Sequence, residues 1–182
     1  MTKQLTGRLI GGAFGLVFVQ ANAGALPQLF AAPLRFVAIA AFLGLFLNRR
    51  GFRAHTPAPV PGPSPRTGFG RRYWYVVAAE VLGLAVGLLL IGRVLHTPHA
   101  AVGWIAFVVG VHFFGLAVVW HRPSLHVLGA AIAACGLVAL VLAVLDAPDA
   151  AVALAGGIAP GALLLTTAWR TPQAPDRPLV GV

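Results

Sequence analysis

The chain has 182 residues, of which 59% are hydrophobic and only 9% charged. Soluble domains carry about 25% charged residues, so there is too little polar surface here to coat a water-soluble globule. The formal charge of +9 does not point to nucleic acid. The basic residues sit beside apolar segments rather than on an independent basic face, and no aromatic-rich strand platform or basic recognition helix is present.

A bilayer-spanning helix needs about 20 mostly apolar residues. Six segments meet or nearly meet that length: 7–25, 27–47, 73–94, 99–120, 125–145 and 149–169. The fold class expected is therefore an all-α, polytopic transmembrane bundle of six helices forming one membrane domain over 1–182. Lys3 and Arg8 before an apolar run resemble a signal peptide, and Ala21-Asn-Ala23 resembles a cleavage site. Because Leu26 opens a second apolar run almost at once, the segment is expected to be retained. Pro27 suits a first helical turn, where its missing N–H costs nothing.

Lys and Arg accumulate in cytoplasmic loops. With the N-terminus inside, one side receives Lys3, Arg8, Arg49, Arg50, Arg53, Arg66, Arg71, Arg72, Arg122, Arg170 and Arg177, while the other receives Arg93 with Asp146 and Asp149. Both termini are expected to be cytoplasmic, in a bacterial-type plasma (inner) membrane crossed several times. The Pro/Arg-rich loop 48–72 reads as an extended or disordered linker whose arginines rest on anionic lipid headgroups; a docking site for a proline-reading partner is the alternative. Tyr73, Trp74, Tyr75, Trp120 and Trp169 read as interfacial anchors, and the tail 171–182 as loose.

Small residues four apart let helices approach closely in lipid. Gly7, Gly11 and Gly15 show that spacing in the first span, Gly83 and Gly87 in the third, and Gly157 and Gly161 in the sixth. Ordinary packing within the bundle and a dimer face both fit. Pro33 and Pro160 fall inside spans, and Pro160 among Gly156, Gly157 and Gly161 marks the sixth as the place for a kink or hinge.

Ionisable residues inside spans are costly and mark functional sites or structural pairs. Three occur: Arg35, Glu80 and His112. From the helical rise, Glu80 lies about 4 to 5 Å and His112 about 3 Å to the inner side of their span centres, with Arg35 about 3 Å to the outer side. Glu80 and His112 thus share a level, within reach of the long Arg35 side chain. Imidazole changes charge near neutral pH, so Glu80 and His112 can line a proton or substrate path with Arg35 tuning them. The structural alternative is an Arg35–Glu80 ion pair beside a hydrogen-bonded core histidine.

Gln20, Asn22 and Gln28 gather at one hairpin tip as a candidate outer entrance. His96 and His99 with Asp146 or Asp149 could supply metal ligands, but nothing in their spacing fixes a geometry, and no metal or other cofactor is expected. Cys135 is alone, which excludes an intrachain disulfide. No P-loop, His-Glu-x-x-His or Gly-x-Ser-x-Gly motif occurs, so an enzyme is not expected.

Leu26-Pro27 followed by Ala32-Pro-Leu-Arg35-Phe36 resembles the second-helix region of drug/metabolite-type (EamA-like) transporters over about a fifth of the chain. The sequence departs from that family in its short first connection, its Pro-rich loop and its six rather than ten spans, so the resemblance implies no activity here. Val109-Gly-Val-His112-Phe-Phe-Gly-Leu-Ala117 resembles a Gly-x-His-Phe segment of small bacterial six-span membrane proteins of unassigned activity. Two functions stand as expectations. One is a small-solute permease or proton-linked carrier using Glu80 and His112. The other is a non-catalytic scaffold or accessory subunit that contacts a second copy or a membrane partner protein.

Overall fold

The computed structural model describes residues 3–47, 71–120 and 122–170. The Pro-rich part of loop 48–72 and the tail 171–182 lie outside the described residues, as do the side chains of Tyr73, Trp74, Tyr75 and Trp120. Among the described residues the chain is all helix. In order come α1 (Lys3–Asn22), a 3₁₀ turn (Ala23–Ala25), α2 (Gln28–Leu47), α3 (Arg71–Leu89), a π-helical turn (Leu90–Leu95) and a second 3₁₀ turn (Pro98–Ala100). Next are α4 (Ala101–Trp120), α5 (Pro123–Val144), α6 (Asp149–Ala153), a π-helical segment (Leu154–Ile158) and α7 (Ala159–Trp169). The last three run on as one rod, making six rods among the described residues.

Four of these are long and apolar enough to cross a membrane: Gln28–Leu47, Pro98–Val118, Pro123–Val144 and Asp149–Trp169. At 1.5 Å per residue each covers about 30 Å, the thickness of a hydrocarbon core. Such a set points to a membrane-embedded protein. The rods not in this set carry polar groups within their length: Arg8, Gln20 and Asn22 in α1, Glu80 in α3.

The connections follow from local chemistry. The Pro27 carbonyl accepts from the Phe30 and Ala31 amides at 2.9 and 3.0 Å, so proline opens α2 without wasting a donor. At the end of α5, Asp146 takes a left-handed conformation (φ 51°) and the Ala147 amide reaches back to the Leu142 carbonyl at 3.0 Å. This closure satisfies carbonyls that the helix end would otherwise leave bare. His96 does the same after α3 (φ 53°), and the Thr97 amide reaches Ile91 at 3.2 Å, one residue further back because the preceding turn is π-helical. Pro160 does not break the last rod. It cannot donate to the carbonyl four residues earlier, that of Gly156, and the turn around that carbonyl is widened to π.

Packing is tightest between the antiparallel α4 and α5, where Gly103 faces Gly136 and Gly110 faces Gly129. A Cβ on Gly103 would sit 2.9 Å from the Leu140 amide nitrogen, and one on Gly129 would sit 2.8 Å from the Gly110 carbonyl. One on Gly110 would collide with the backbone of Ala133, and one on Gly136 with that of Phe107. Gly156 of the last rod closes onto Gly103 and Ala139. A second backbone-to-backbone crossing joins α1 to α7, where a Cβ on Gly15 would be 2.8 Å from the Gly161 carbonyl. Between the two crossings lies a cluster of Phe18, Ala106, Leu128, Ile132 and Leu164, all at most 8% exposed.

Of the glycines expected to pack, Gly15, Gly157, Gly161 and Gly87 meet neighbours, whereas Gly7, Gly11 and Gly83 have nothing within 4 Å. Around this centre α2 lies on α1 and α7, tied by the Trp169 Nε1–H donating to the Ala41 carbonyl at 3.1 Å. Arg8 Nε donates to the Ala168 carbonyl at 2.6 Å, a cation at the carbonyl end of α7. The remaining rod, α3, packs principally on α4, where the Trp104 indole lies over Gly87.

Overpacking a close-fitting core costs about 1 to 3 kcal/mol. Gly136→Ala should therefore lower thermal stability in detergent by at least that much, because its methyl meets backbone that cannot rotate away. Gly83→Ala, in open space, should leave the midpoint unchanged or slightly raised, since alanine favours helix by about 1 kcal/mol. Equal midpoints for the two variants would refute the glycine seam.

Candidate functional site

Glu80 and His112 face each other across the α3–α4 contact. The His112 Nδ1–H donates to Glu80 Oε2 at 2.5 Å, a hydrogen bond that is also a salt bridge whenever the imidazole is protonated. Both positions follow from helix geometry. Glu80 and Gly87 are seven residues apart, two turns, so they project from the same side of α3. On α4, Trp104 and His112 are eight apart and meet Gly87 and Glu80 respectively. The small Gly87 lets the indole fit and brings α3 close enough for the shorter imidazole to reach the carboxylate.

The pair sits at the side of the bundle rather than its centre. Glu80 is 16% exposed and His112 35%. Among the described residues the buried side chains include no polar or charged one. Thr166 and Thr167, near the end of α7, turn their hydroxyls back to the carbonyls of residues 162–164. An ionised carboxylate alone in lipid is costly, and the imidazole partner satisfies one of its oxygens.

The structure does not bring Arg35 to this pair. Arg35 is exposed on α2, whose neighbours are α1, α7 and the Ala23–Ala25 turn, while α3 stands on α4. Its guanidinium runs toward the 23–25 turn, with Nη2 3.3 Å from where a Cβ on Gly24 would be. A long cationic side chain on an apolar helix reaches for the nearest interface, and for Arg35 that is the hairpin tip rather than the level of Glu80.

The three polar residues of the hairpin tip separate. Gln20 Nε2–H donates to the Arg35 carbonyl at 3.1 Å, joining α1 to α2, and Gln28 is exposed. Asn22 turns inward, donating from Nδ2 to the Phe18 carbonyl at 2.8 Å. It also lines a cleft of about 480 Å³ between the end of α1, the start of α4 and α6, together with His99 and Asp149. His96 lies outside that cleft, bonded to the Val94 carbonyl at 3.1 Å. Among the described residues no three His, Cys, Asp or Glu side chains converge as a metal site. Cys135 is a free thiol on α5.

Sequence reasoning named His99 and Asp149 only as metal-ligand candidates. Their place in a cleft with Asn22 depends on the α1–α4–α6 arrangement, which no local pattern encodes. Fold and site together define a helical, membrane-embedded bundle with one lateral carboxylate–imidazole pair and one polar-rimmed cleft at a helix end. No protein family, curated protein or solved structure compared with the chain matches it.

A double-mutant cycle of Glu80→Gln and His112→Gln measures the pair directly. Contacting residues couple by about 0.5 to 3 kcal/mol, and His112's exposure argues for the lower half of that range. Additive effects on unfolding in detergent would show that the two side chains do not interact.

Proposed function

We propose that the chain is a six-span protein of a bacterial-type plasma membrane, with both termini cytoplasmic, acting as a non-catalytic membrane subunit that presents α3 to a neighbour. The observation that supports this is the position of α3. It rests on α4 while Val81, Leu82, Val86 and Leu89 face outward at 45 to 65% exposure. Gly83 opens on the same rod with nothing near it, and a small residue on an apolar surface is where another helix can approach closely in lipid.

The apolar centre formed by the described residues favours this reading over the proton-linked carrier, which needs polar groups along a path. The carrier reading retains one specific support, the Glu80–His112 contact within an apolar region. Orientation rests on the Lys and Arg asymmetry and on anionic headgroups attracting the basic side.

Two experiments test these statements. In a Cys135→Ser background, His96→Cys should react in intact cells with a membrane-impermeant maleimide, and Arg170→Cys only after permeabilisation; the reverse pattern refutes the orientation. In the same background, Gly83→Cys should crosslink in native membranes to one discrete species, whose mass tells a second copy from another protein. Liposomes holding the wild-type chain should pass protons no faster than empty ones. A flux above that background which Glu80→Gln abolishes would replace the subunit reading with the carrier.

A further inference from the structure

The cleft beside Asn22, His99 and Asp149 has a chemical direction of its own. Its three polar residues stand at helix ends: Asn22 closes α1, His99 precedes α4 and Asp149 opens α6. The deeper wall is apolar. Val17 and Phe18 lie one turn or more below Asn22, and Ile105 lies below His99 by six residues, so the apolar floor is about 6 to 9 Å beneath the rim. Phe18 belongs to the central cluster, and Ile105 packs against it. The floor is therefore fixed by the fold. A volume of about 480 Å³ falls within the usual range for small-ligand sites.

The rim offers two acceptors beside the anchored His99 ring. His99 Nε2 meets the Ala143 carbonyl at 3.3 Å; a carbonyl only accepts, so Nε2–H donates and ties the ring to the end of α5. Asn22 spends Nδ2 on the Phe18 carbonyl, which leaves Oδ1 as an acceptor. Asp149 offers a carboxylate. An amide oxygen and a carboxylate together match a cationic head that carries several N–H donors. They do not match a head that offers only a carboxylate or a phosphate. A quaternary ammonium supplies the charge but no donor.

We propose that this cleft binds a single-chain amphiphile with a primary ammonium head, the head held by Asp149 and Asn22 beside the His99 ring and the start of the chain lying on Val17, Phe18 and Ile105. The site is independent of the Glu80–His112 pair and of the subunit reading. The ammonium can belong to a single-chain (lyso) ethanolamine lipid of the membrane or to a free long-chain amine.

The test uses the full chain in phosphatidylcholine nanodiscs, whose lipid head has no N–H, and a diazirine-bearing long-chain primary amine as photoprobe. Label should map to peptides containing residues 17–22, 98–105 or 149–153. Dodecylamine should displace it about tenfold better than dodecanoate or dodecyltrimethylammonium, the loss expected when a charge-assisted hydrogen bond goes unmade. Displacement by lysophosphatidylethanolamine as good as by dodecylamine assigns the head to membrane lipid; weaker displacement assigns it to a free amine. Asp149→Asn, at an exposed position, should weaken labelling, and Ala21→Trp should fill the cleft and remove it. Label spread evenly over the outward-facing helices, equal displacement by dodecanoate, or undiminished labelling of Asp149→Asn in a protein of wild-type thermal stability would each overturn the proposal. The competitor series needs no variant, so a misfolded mutant leaves the test standing.

Discussion

Everything else in the bundle hangs on the backbone contact between α4 and α5. Lipid offers apolar helices no hydrophobic reason to associate, so they are held by close packing. The absence of four side chains, at Gly103, Gly110, Gly129 and Gly136, allows that packing here. The pairs are matched in antiparallel register, Gly103 with Gly136 and Gly110 with Gly129, two turns apart on both helices. A spacing of seven keeps contacts on one seam only when helices cross at a shallow angle. The seam thus fixes the direction of α5 relative to α4, and Gly156 then docks the last rod into the groove beside Gly103 and Ala139.

The two polar features of the molecule follow from that frame at different removes. The cleft is bounded by the start of α4 and by α6, both positioned by the seam, and its floor shares Phe18 with the central cluster. The Glu80–His112 pair lies one step further out, on a helix joined principally to α4 through Gly87, Trp104 and the pair itself. A charge in a low-dielectric setting is costly when unpaired and only modestly favourable when paired. The pair therefore contributes register rather than bulk stability: sliding α3 by one residue would turn Glu80 away from His112 and leave a carboxylate facing lipid.

Much of this architecture was legible in the sequence, because length and hydropathy act locally. The helix ends at Leu47, Val144 and Trp169 lie within a residue or so of the apolar boundaries. Pro27 marks a helix start for the reason that a proline costs nothing there. The equal depth of Glu80 and His112 was readable from the rise per residue. Their contact was not, since depth says nothing about azimuth. Arg35 shows that limit from the other side: its depth was compatible with the pair, but α2 stands on α1 and α7, and the guanidinium takes the shorter way to the interface. The glycine seam was missed for another reason. Small residues at intervals of four signal close right-handed crossings. The intervals of seven at 103/110 and 129/136, and that between Glu80 and Gly87, belong to the shallower antiparallel geometry.

The same geometry bears on what the bundle can do. Its centre is packed by glycine, alanine and aliphatic side chains, and the hydroxyls of Thr166 and Thr167 are spent on their own helix. A glycine seam is stiff because separating the helices loses dense backbone contact and leaves nothing to fill the gap. Alternating access asks two halves of a protein to rock about a central site. Here the central contact is the most closely packed one, while α2 and α3 lie at the edges. Movement of α3 would be felt first at Glu80–His112, since that hydrogen bond and the Trp104–Gly87 contact are its principal side-chain ties to α4. A neighbour that displaces α3 would have to supply a new partner for a carboxylate in lipid. The requirement limits such partners to chains that bring a donor of their own to the level of Glu80.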